Sequence, residues 1–330
     1  MKESKKYHTF IDLFSGIGGF RIGMELANCK HVFSNDYDKY ANQTYTQWFG
    51  EDGHDSRSIW DISLDEIPSH DILCGGFPCQ PFSNAGKKLG FSDPSQGNLF
   101  ERIEQIVAAK RPKVVFLENV RTLVTHDGGR TMNTINSKLT DLGYCGTMAI
   151  INAKFWVPQN RYRIFLVYFL ENQEAANYME QDLISIKKSD DKEVKKLSSI
   201  LEETPDKSFE LPEGTWKSLQ RHKERHKGKT GFGYSLIEDF SKCTNTLSAR
   251  YAKDGAEILI KQKCWERPRR LTLNEARALM GFDNDLASKY GHLNGFPTNI
   301  CSKAQHYKQF GNAVVPRIVA DIAQKINKYI

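Results

Sequence analysis

The chain has 330 residues, enough to bury a substantial core and to form two domains or one large α/β domain carrying an insertion. Its 46 Lys and Arg against 40 Asp and Glu leave a formal charge of +6, too mild an excess to name a partner by itself. Cys29, Cys74, Cys79, Cys145, Cys243, Cys264 and Cys301 are odd in number and lack paired spacing, so neither a disulfide framework nor a zinc knuckle is suggested and a reducing cytosol fits best. No apolar stretch approaches the ~18 residues of a membrane span, and a first strand from Phe10 leaves no room for a signal peptide, so a cytoplasmic protein with no membrane partner and no metal is expected.

The first strand, Phe10–Phe14, runs into Ser15-Gly16-Ile17-Gly18-Gly19-Phe20 and a helix predicted over Gly19–Ala27. Small residues in such a turn let a ligand approach the backbone beside a helix N-terminus, although they also serve simple close packing. The second strand, His31–Asn35, places Asp36 about 20 residues past the glycines, where an acid can accept both ribose hydroxyls. The dinucleotide fingerprint is absent, which favours a smaller adenosyl cofactor. Tyr37 could stack on an adenine and Asp61-Ile62 could hold the base edge; each alone suits a surface or core position equally well.

The apolar run Asp71–Cys74 reads as a buried parallel strand that opens into Gly75-Gly76-Phe77-Pro78-Cys79-Gln80-Pro81-Phe82-Ser83. Cys79 therefore sits where a strand becomes a loop, as a nucleophile candidate or an inert loop cysteine. In the helix predicted over Phe100–Ala109, Phe100, Ile103, Ile106 and Val107 recur at helical spacing and Pro112 stops the run. The strand Lys113–Leu117 delivers Glu118-Asn119-Val120, so an acid and a thiol converge over one sheet edge. After a helix over Thr131–Leu142 and a strand over Met148–Ile151, Arg161 and Arg163 alternate into the strand Arg163–Phe169. That alternation puts both guanidiniums on one side, serving the site together or facing solvent together. Repeated strand, crossover and strand units imply an open, mostly parallel sheet.

From Leu170 the character changes: residues 180–215 are charge-rich, Lys217 to Lys229 carries six cations against Glu224, and Gly228–Tyr234 reads as a turn. The basic stretch is either a phosphate-facing surface or a solvated face. Ala256–Ile260 is a modest strand candidate. Val314, Val315, Ile318, Val319, Ile322, Ala323 and Ile326 then form one helical stripe that should pack back on the first domain.

In order and spacing these motifs resemble those of the DNA cytosine-5 methyltransferases across nearly the full length. Asp12–Phe20 is similar to the family's cofactor motif, Gly76–Gln80 to its nucleophile motif and Glu118-Asn119-Val120 to its acid motif. Gln159-x-Arg161-x-Arg163 is similar to the arginine motif, Arg270–Gly281 to the segment organising the recognition domain, and Gln305–Val314 to the terminal motif. The resemblance implies a Rossmann-like methyltransferase sheet over 1–170, a smaller loop-rich target-recognition domain over 171–300, and a segment over 301–330 returning to the catalytic domain. It implies S-adenosylmethionine, converted to S-adenosylhomocysteine, held by Phe14, Gly16, Gly18, Asp36, Tyr37, Asp61, Ile62, Pro78 and Asn312. Cys79 would attack C6 of a cytosine rotated out of duplex DNA, with Glu118 on the base edge, Arg163 orienting the base and Arg161 supporting the thiolate.

Gln80–Leu99 looks like the family's catalytic lid, with Gln80, Ser83, Lys87 and Lys88 towards DNA; Asp93-Pro94-Ser95-Gln96-Gly97 departs from the usual Asp-x-Arg-Gly. Arg221, Thr246, Arg250 and Lys253 fall in the recognition region, which resembles that of enzymes with short palindromic sites beginning CC. A monomeric bacterial enzyme acting on double-stranded DNA, nucleoid-associated and paired with a separate restriction endonuclease, is the implied setting. A transfer RNA methyltransferase and a catalytically silent DNA-binding protein are the alternative readings.

Overall fold

The computed structural model describes residues 7–77, 99–188, 193–227, 233–253, 255–283, 286 and 296–330. The chain divides into two compact units: Met1–Asn152 with Tyr162–Ser189 and Pro316–Ile330 form the first, and Ala153–Arg161 with Asp190–Val315 the second.

The first unit is built on a seven-stranded sheet whose strands are β1 (Thr9–Leu13), β2 (Lys30–Asn35), β3 (His54–Asp55), β4 (Ile72–Gly76), β5 (Val114–Val120), β6 (Tyr144–Asn152) and β7 (Tyr162–Leu170). Their spatial order is β3-β2-β1-β4-β5-β7-β6. The first five run parallel, while β7 is antiparallel to both β5 and β6. The chain winds from β1 through β2 to β3 and then returns to place β4 on β1's other side. In open α/β sheets ligands bind at this reversal, beyond the C-terminal strand ends. The central strands read as unbroken apolar runs because both sheet faces are covered: Phe10, Ile11, Leu13, Ile72, Leu73, Val114, Val115, Phe116 and Leu117 are fully buried.

The covering helices are α1 (Gly19–Leu26), α2 (Lys39–Phe49), α3 (Leu99–Lys110), α4 (Arg130–Asp141), α5 (Gln173–Lys188) and, from the chain's end, α9 (Pro316–Ile326). The stripe of α3 forms as its spacing predicts, with Phe100, Ile103, Ile106 and Val107 buried. Helix α9 lies on α1 so closely that a Cβ on Gly23 would fall 2.4 Å from Cβ of Val319. Helix α5 stays with this unit beyond residue 170 because Ala175, Ala176, Met179, Leu183 and Ile186 are buried.

The second unit has little regular structure: a two-strand pair of β8 (Leu236–Ile237) and β9 (Leu259–Ile260), and helices α6 (Glu213–Arg225), α7 (Leu273–Leu279) and α8 (Lys303–Asn312). The strand expected over Ala256–Ile260 shrinks to its last two residues. Helix α6 buries none of its residues. Leu247, Tyr251, Ile258, Leu271, Phe282 and Phe310 form buried apolar packing here, and polar ties add to it. Arg269 and Glu275, both fully buried, pair through two hydrogen bonds of 2.7 and 2.8 Å, and Glu275 also closes the capping box that Thr272 opens on α7. Among the described residues no helix is long and apolar enough to cross a membrane, and no cluster of His, Cys, Asp and Glu suits a metal ion.

Candidate active site

At the exit of β1 the backbone turns through left-handed conformations at Phe14 (φ 56°), Gly16 (φ 55°) and Gly18 (φ 84°). For phenylalanine this is a strained geometry of the kind that collects at functional sites. A Cβ on Gly16 would meet nothing within 4 Å, whereas one on Gly18 would strike the Phe49 ring at 2.3 Å; the first glycine leaves open space and the second permits close packing. Asp12 reaches from the strand to cap α1, its Oδ2 accepting the Arg21 N–H at 3.2 Å, while Oδ1 and the Ser15 hydroxyl are buried without a hydrogen-bond partner. Burial pushes the Asp12 carboxyl well above its ordinary range.

Asp36, one residue past β2, accepts the Gly16 N–H on Oδ2 and the Asp38 N–H on Oδ1, both at 2.8 Å. Burial raises its pKa while these backbone donors oppose the rise. Fixed this way, the carboxylate keeps acceptor capacity for further donors. The neighbouring Tyr37 ring is 73% exposed, a large flat surface beside the acid. Asp61 is exposed, but Ile62 is a core residue at 1% exposure. Its side chain packs in the apolar layer and its carbonyl accepts from Arg102 Nη2.

The second half of the site lies at the ends of β4 and β5. Glu118 is paired in register with Gly76, and a Cβ on that glycine would sit 3.4 Å from Glu118 Oε2. Arg163 pairs opposite Val120, which sets it diagonally across the antiparallel β5–β7 ladder from Glu118, on the same face. Its Nε lies 3.1 Å from Glu118 Oε1, with the side chains 16% and 11% exposed, so the pair is largely shielded from water. Burial lowers the Arg163 pKa and Glu118 opposes that shift. Asn119, buried at 3%, donates to the Phe77 carbonyl at 2.8 Å and accepts the Val120 N–H. It thereby fixes the β4 exit two residues ahead of Cys79. Pro78, Cys79, Gln80, Ser83, Lys87, Lys88 and the 93–97 segment lie outside the described residues.

Arg161 corrects the expectation that the two arginines act from one side of a strand. Strand β7 begins at Tyr162, and Arg161 belongs to the second unit. There its guanidinium donates to the carbonyls of Leu247 (3.1 Å), Gly311 (2.9 Å) and Ala313 (2.8 Å), and the residue is 1% exposed. Carbonyl oxygens can only accept, so the buried cation is the group that satisfies them. These bonds occupy Nη1 and Nη2, and the Cys79 thiolate that Arg161 is expected to support lies outside the described residues. Gly311 is required beside it, because a Cβ there would fall 2.3 Å from the Ala249 nitrogen; Asn312 follows as the last residue of α8.

In the recognition region Thr246 donates its hydroxyl to the Asn160 carbonyl at 2.6 Å. Arg221, Arg250 and Lys253 are exposed. On α6, Lys223 Nζ stands 4.3 Å from the Tyr234 ring, which also packs edge-on to Trp216.

Three positioning residues escaped the sequence reading. Arg102, 7% exposed, binds the carbonyls of Ile59 and Ile62; Asn119 holds Phe77; Arg269 rather than its neighbour Arg270 carries the buried pair with Glu275. The available signal for Arg102 was its place in a helix turn otherwise flanked by buried Phe100, Ile103 and Ile106.

Residues 8–328 match the C-5 cytosine-specific DNA methylase family. The type II methyltransferase M1.ScrFI of Lactococcus lactis subsp. cremoris is similar at 43% identity over 98% of this chain and 79% of its own length. M.NlaX of Neisseria lactamica is 41% identical over 96% of this chain and 95% of its own length. The crystal structure of S. pombe Dnmt2 methyltransferase shares the fold, with a TM-score of 0.75 at 20% identity over 97% of this chain and 99% of that one. The seven-stranded sheet, the acid at its β5 edge and these matches agree: the chain belongs to the C-5 cytosine-specific DNA methylases.

Proposed function

We propose that the chain methylates C5 of a cytosine in a specific duplex sequence, with S-adenosylmethionine as donor, as the protective methylase of a type II restriction–modification system. The shielded Glu118–Arg163 pair carries this reading. It supplies a carboxylate and a planar cation at a strand edge whose neighbour, held by Asn119, leads into Cys79.

The donor suits the first half of the site: Asp36 has acceptor capacity for ribose hydroxyls, Tyr37 offers a bare ring, and the turn leaves space at Gly16 with buried polar atoms of Asp12 and Ser15 unused. S-adenosylmethionine, when bound, supplies an electrophilic methyl. Phe14, Gly18, Asp61, Ile62, Pro78 and Asn312 are the further residues assigned to it.

A ring carbon in a stacked base is out of reach of an enzyme nucleophile, so the cytosine is turned out of the helix. The Cys79 thiolate adds to C6, and the electron pair moves through the ring to make C5 nucleophilic. Glu118 accepts from the exocyclic amine and shares a proton with N3, offsetting charge as the adduct forms, and Arg163 holds Glu118 and the base in plane. After C5 takes the methyl, a base removes the C5 proton and the C6–sulfur bond breaks, returning the thiolate. Gln80, Ser83, Lys87, Lys88, Arg221, Thr246, Arg250 and Lys253 are assigned to DNA, the site being a short palindrome beginning CC, with a monomer as the working form and a separate endonuclease as functional partner.

The test is incubation with methyl-labelled S-adenosylmethionine and mixed-sequence duplex DNA. Label should appear in 5-methylcytosine, Cys79→Ser should abolish it while S-adenosylhomocysteine still binds, and duplexes containing 5-fluorocytosine should trap the wild-type enzyme covalently. Label in adenine or on the cytosine amine overturns the reading. Sequencing DNA from an expressing host after conversion chemistry then gives the site.

A further inference from the structure

Strand β3 is only two residues long, yet it holds the Asp36 N–H directly and reaches the Asp36 carbonyl through Asn42. His54 and Asp55 pair with Ser34 and Asn35 of β2. The Asp55 carbonyl accepts the Asp36 N–H at 3.3 Å, and the Asp36 carbonyl accepts Asn42 Nδ2 at 2.9 Å. Asn42 in turn meets His54 Nε2 through Oδ1 at 2.9 Å, and His54 Nδ1 lies 2.9 Å from the Ser34 hydroxyl.

The chemistry of these groups fixes every hydrogen in the chain. A main-chain carbonyl only accepts, so Asn42 must turn its nitrogen to Asp36 and its oxygen to His54. That oxygen also only accepts, so the hydrogen of a neutral His54 ring sits on Nε2, and Nδ1 accepts from Ser34. The ring is stacked on Tyr45 of α2 at 4.2 Å, and the Tyr45 hydroxyl receives Arg21 Nη1 of α1 at 3.0 Å. Facing His54 are thus Arg21 from α1, Tyr45 from α2, His31 from β2 and Asp55 beside it; burial first, then Arg21, bring its pKa down to about 4 against the pull of Asp55.

We infer that His54 is a positioning residue for the cofactor-binding acid: through Asn42 it sets the orientation of the Asp36 peptide and hence the aim of the Asp36 carboxylate and the Tyr37 ring. The inference rests on the proposed role of Asp36 towards the donor's ribose. The relay is directional, since the accepting Asp36 carbonyl fixes the Asn42 amide and the Asn42 oxygen then fixes the His54 tautomer. A ring that lost its Nε2 donor would leave Asn42 free to rotate its amide and release the Asp36 carbonyl. Nothing in the relay touches the reacting carbon, so its effect falls on cofactor affinity rather than on the chemical step.

The experiment is calorimetric titration of the full chain with S-adenosylhomocysteine, alongside KM and kcat for S-adenosylmethionine and thermal melting, for wild type, His54→Leu, His54→Gln and Asn42→Asp. His54→Leu keeps bulk but no donor, and Asn42→Asp keeps shape but cannot donate to Asp36 when ionised; each should weaken binding about tenfold and raise KM in parallel, with kcat within about twofold. His54→Gln, which retains an amide donor, should recover most of the affinity. Nitrogen-15 shifts of His54 should report the Nε2–H tautomer in the wild type. Equal affinity in all four proteins, or lowered melting with unchanged affinity, overturns the inference while leaving the donor assignment intact; wild type that binds no S-adenosylhomocysteine overturns the donor assignment itself.

Discussion

Two arginines two residues apart meet opposite fates. In the second unit Arg161 is enclosed by three main-chain carbonyls, neutral partners that ask only for donors; at the sheet edge of the first unit Arg163 faces the carboxylate of Glu118. The first arrangement spends Nη1 and Nη2 on the main chain of its own unit. The second pairs two charged side chains at the end of β5, with Glu118 Oε2 3.4 Å from where a Cβ on Gly76 would stand. The same side chain meets neutral carbonyls in one setting and a carboxylate in the other, and under the proposed function the first is scaffold and the second part of the chemistry.

The largest effect should come from Arg161→Met. Removing the cation strands three buried carbonyls, so a loss of about 3 kcal/mol or more is expected, read as a lower urea midpoint and early proteolysis within 190–315. Arg163→Met should do the reverse, lowering kcat about 10²- to 10³-fold with a midpoint shift of about 1 kcal/mol, and Arg163→Lys should fall between because the charge survives without the planar fork. If both substitutions unfold the chain alike, the distinction between scaffold and reagent fails.

A smaller effect is expected of Gly76→Ala. Its added methyl meets Glu118 Oε2 at 3.4 Å and Phe20 at 3.9 Å, ordinary contacts that should leave melting unchanged or slightly raised while crowding the carboxylate and lowering kcat about tenfold. A parallel loss of stability and rate would place Gly76 in packing alone.

The smallest effect is in pH. Burial lowers His31 to about 3 and His54 to about 4, both in the first unit, below the ~6.5 of an unfolded histidine. The unfolded chain therefore binds more protons between these limits, so their contribution is intact above about pH 6.5 and is lost as pH falls towards 4 and then 3. A decline on the order of 1 kcal/mol per pH unit, softened by solvent screening, should appear in the stability from urea unfolding between pH 6 and 4.5 and become shallower, the His54 share remaining, in His31→Phe. The Arg161→Met difference should stay constant over that range, because carbonyls do not titrate.

Much of the sheet was legible because its central strands are continuous apolar runs, and every strand predicted up to Phe169 is present within a few residues. Helix α2 and strand β3 were not. Helix α2 buries Asn42 and Thr44, polar residues that blur its stripe, and β3 is two residues whose pairing is decided by Ser34 and Asn35 rather than by its own pattern. In the site, Asp36 and Glu118 could be read as acids at strand ends. The fates of Arg161, Arg102 and Asn119 could not, because their partners are main-chain carbonyls, which every residue possesses and no sequence pattern marks.

Strand β7 runs against β5, and this reversal determines which part of a strand can take part in the chemistry. In a wholly parallel sheet only the last residues of each strand reach the ligand edge, and the first residues of a nine-residue strand stand roughly 25 Å away at the opposite rim. Because one strand enters the sheet where its neighbour leaves, Arg163 arrives at the ligand edge at the start of β7 rather than at its end. The register of β7 against β5 alone thus sets the spacing of Glu118 and Arg163, and a one-residue slip of β7 would turn the Arg163 side chain to the other face of the sheet.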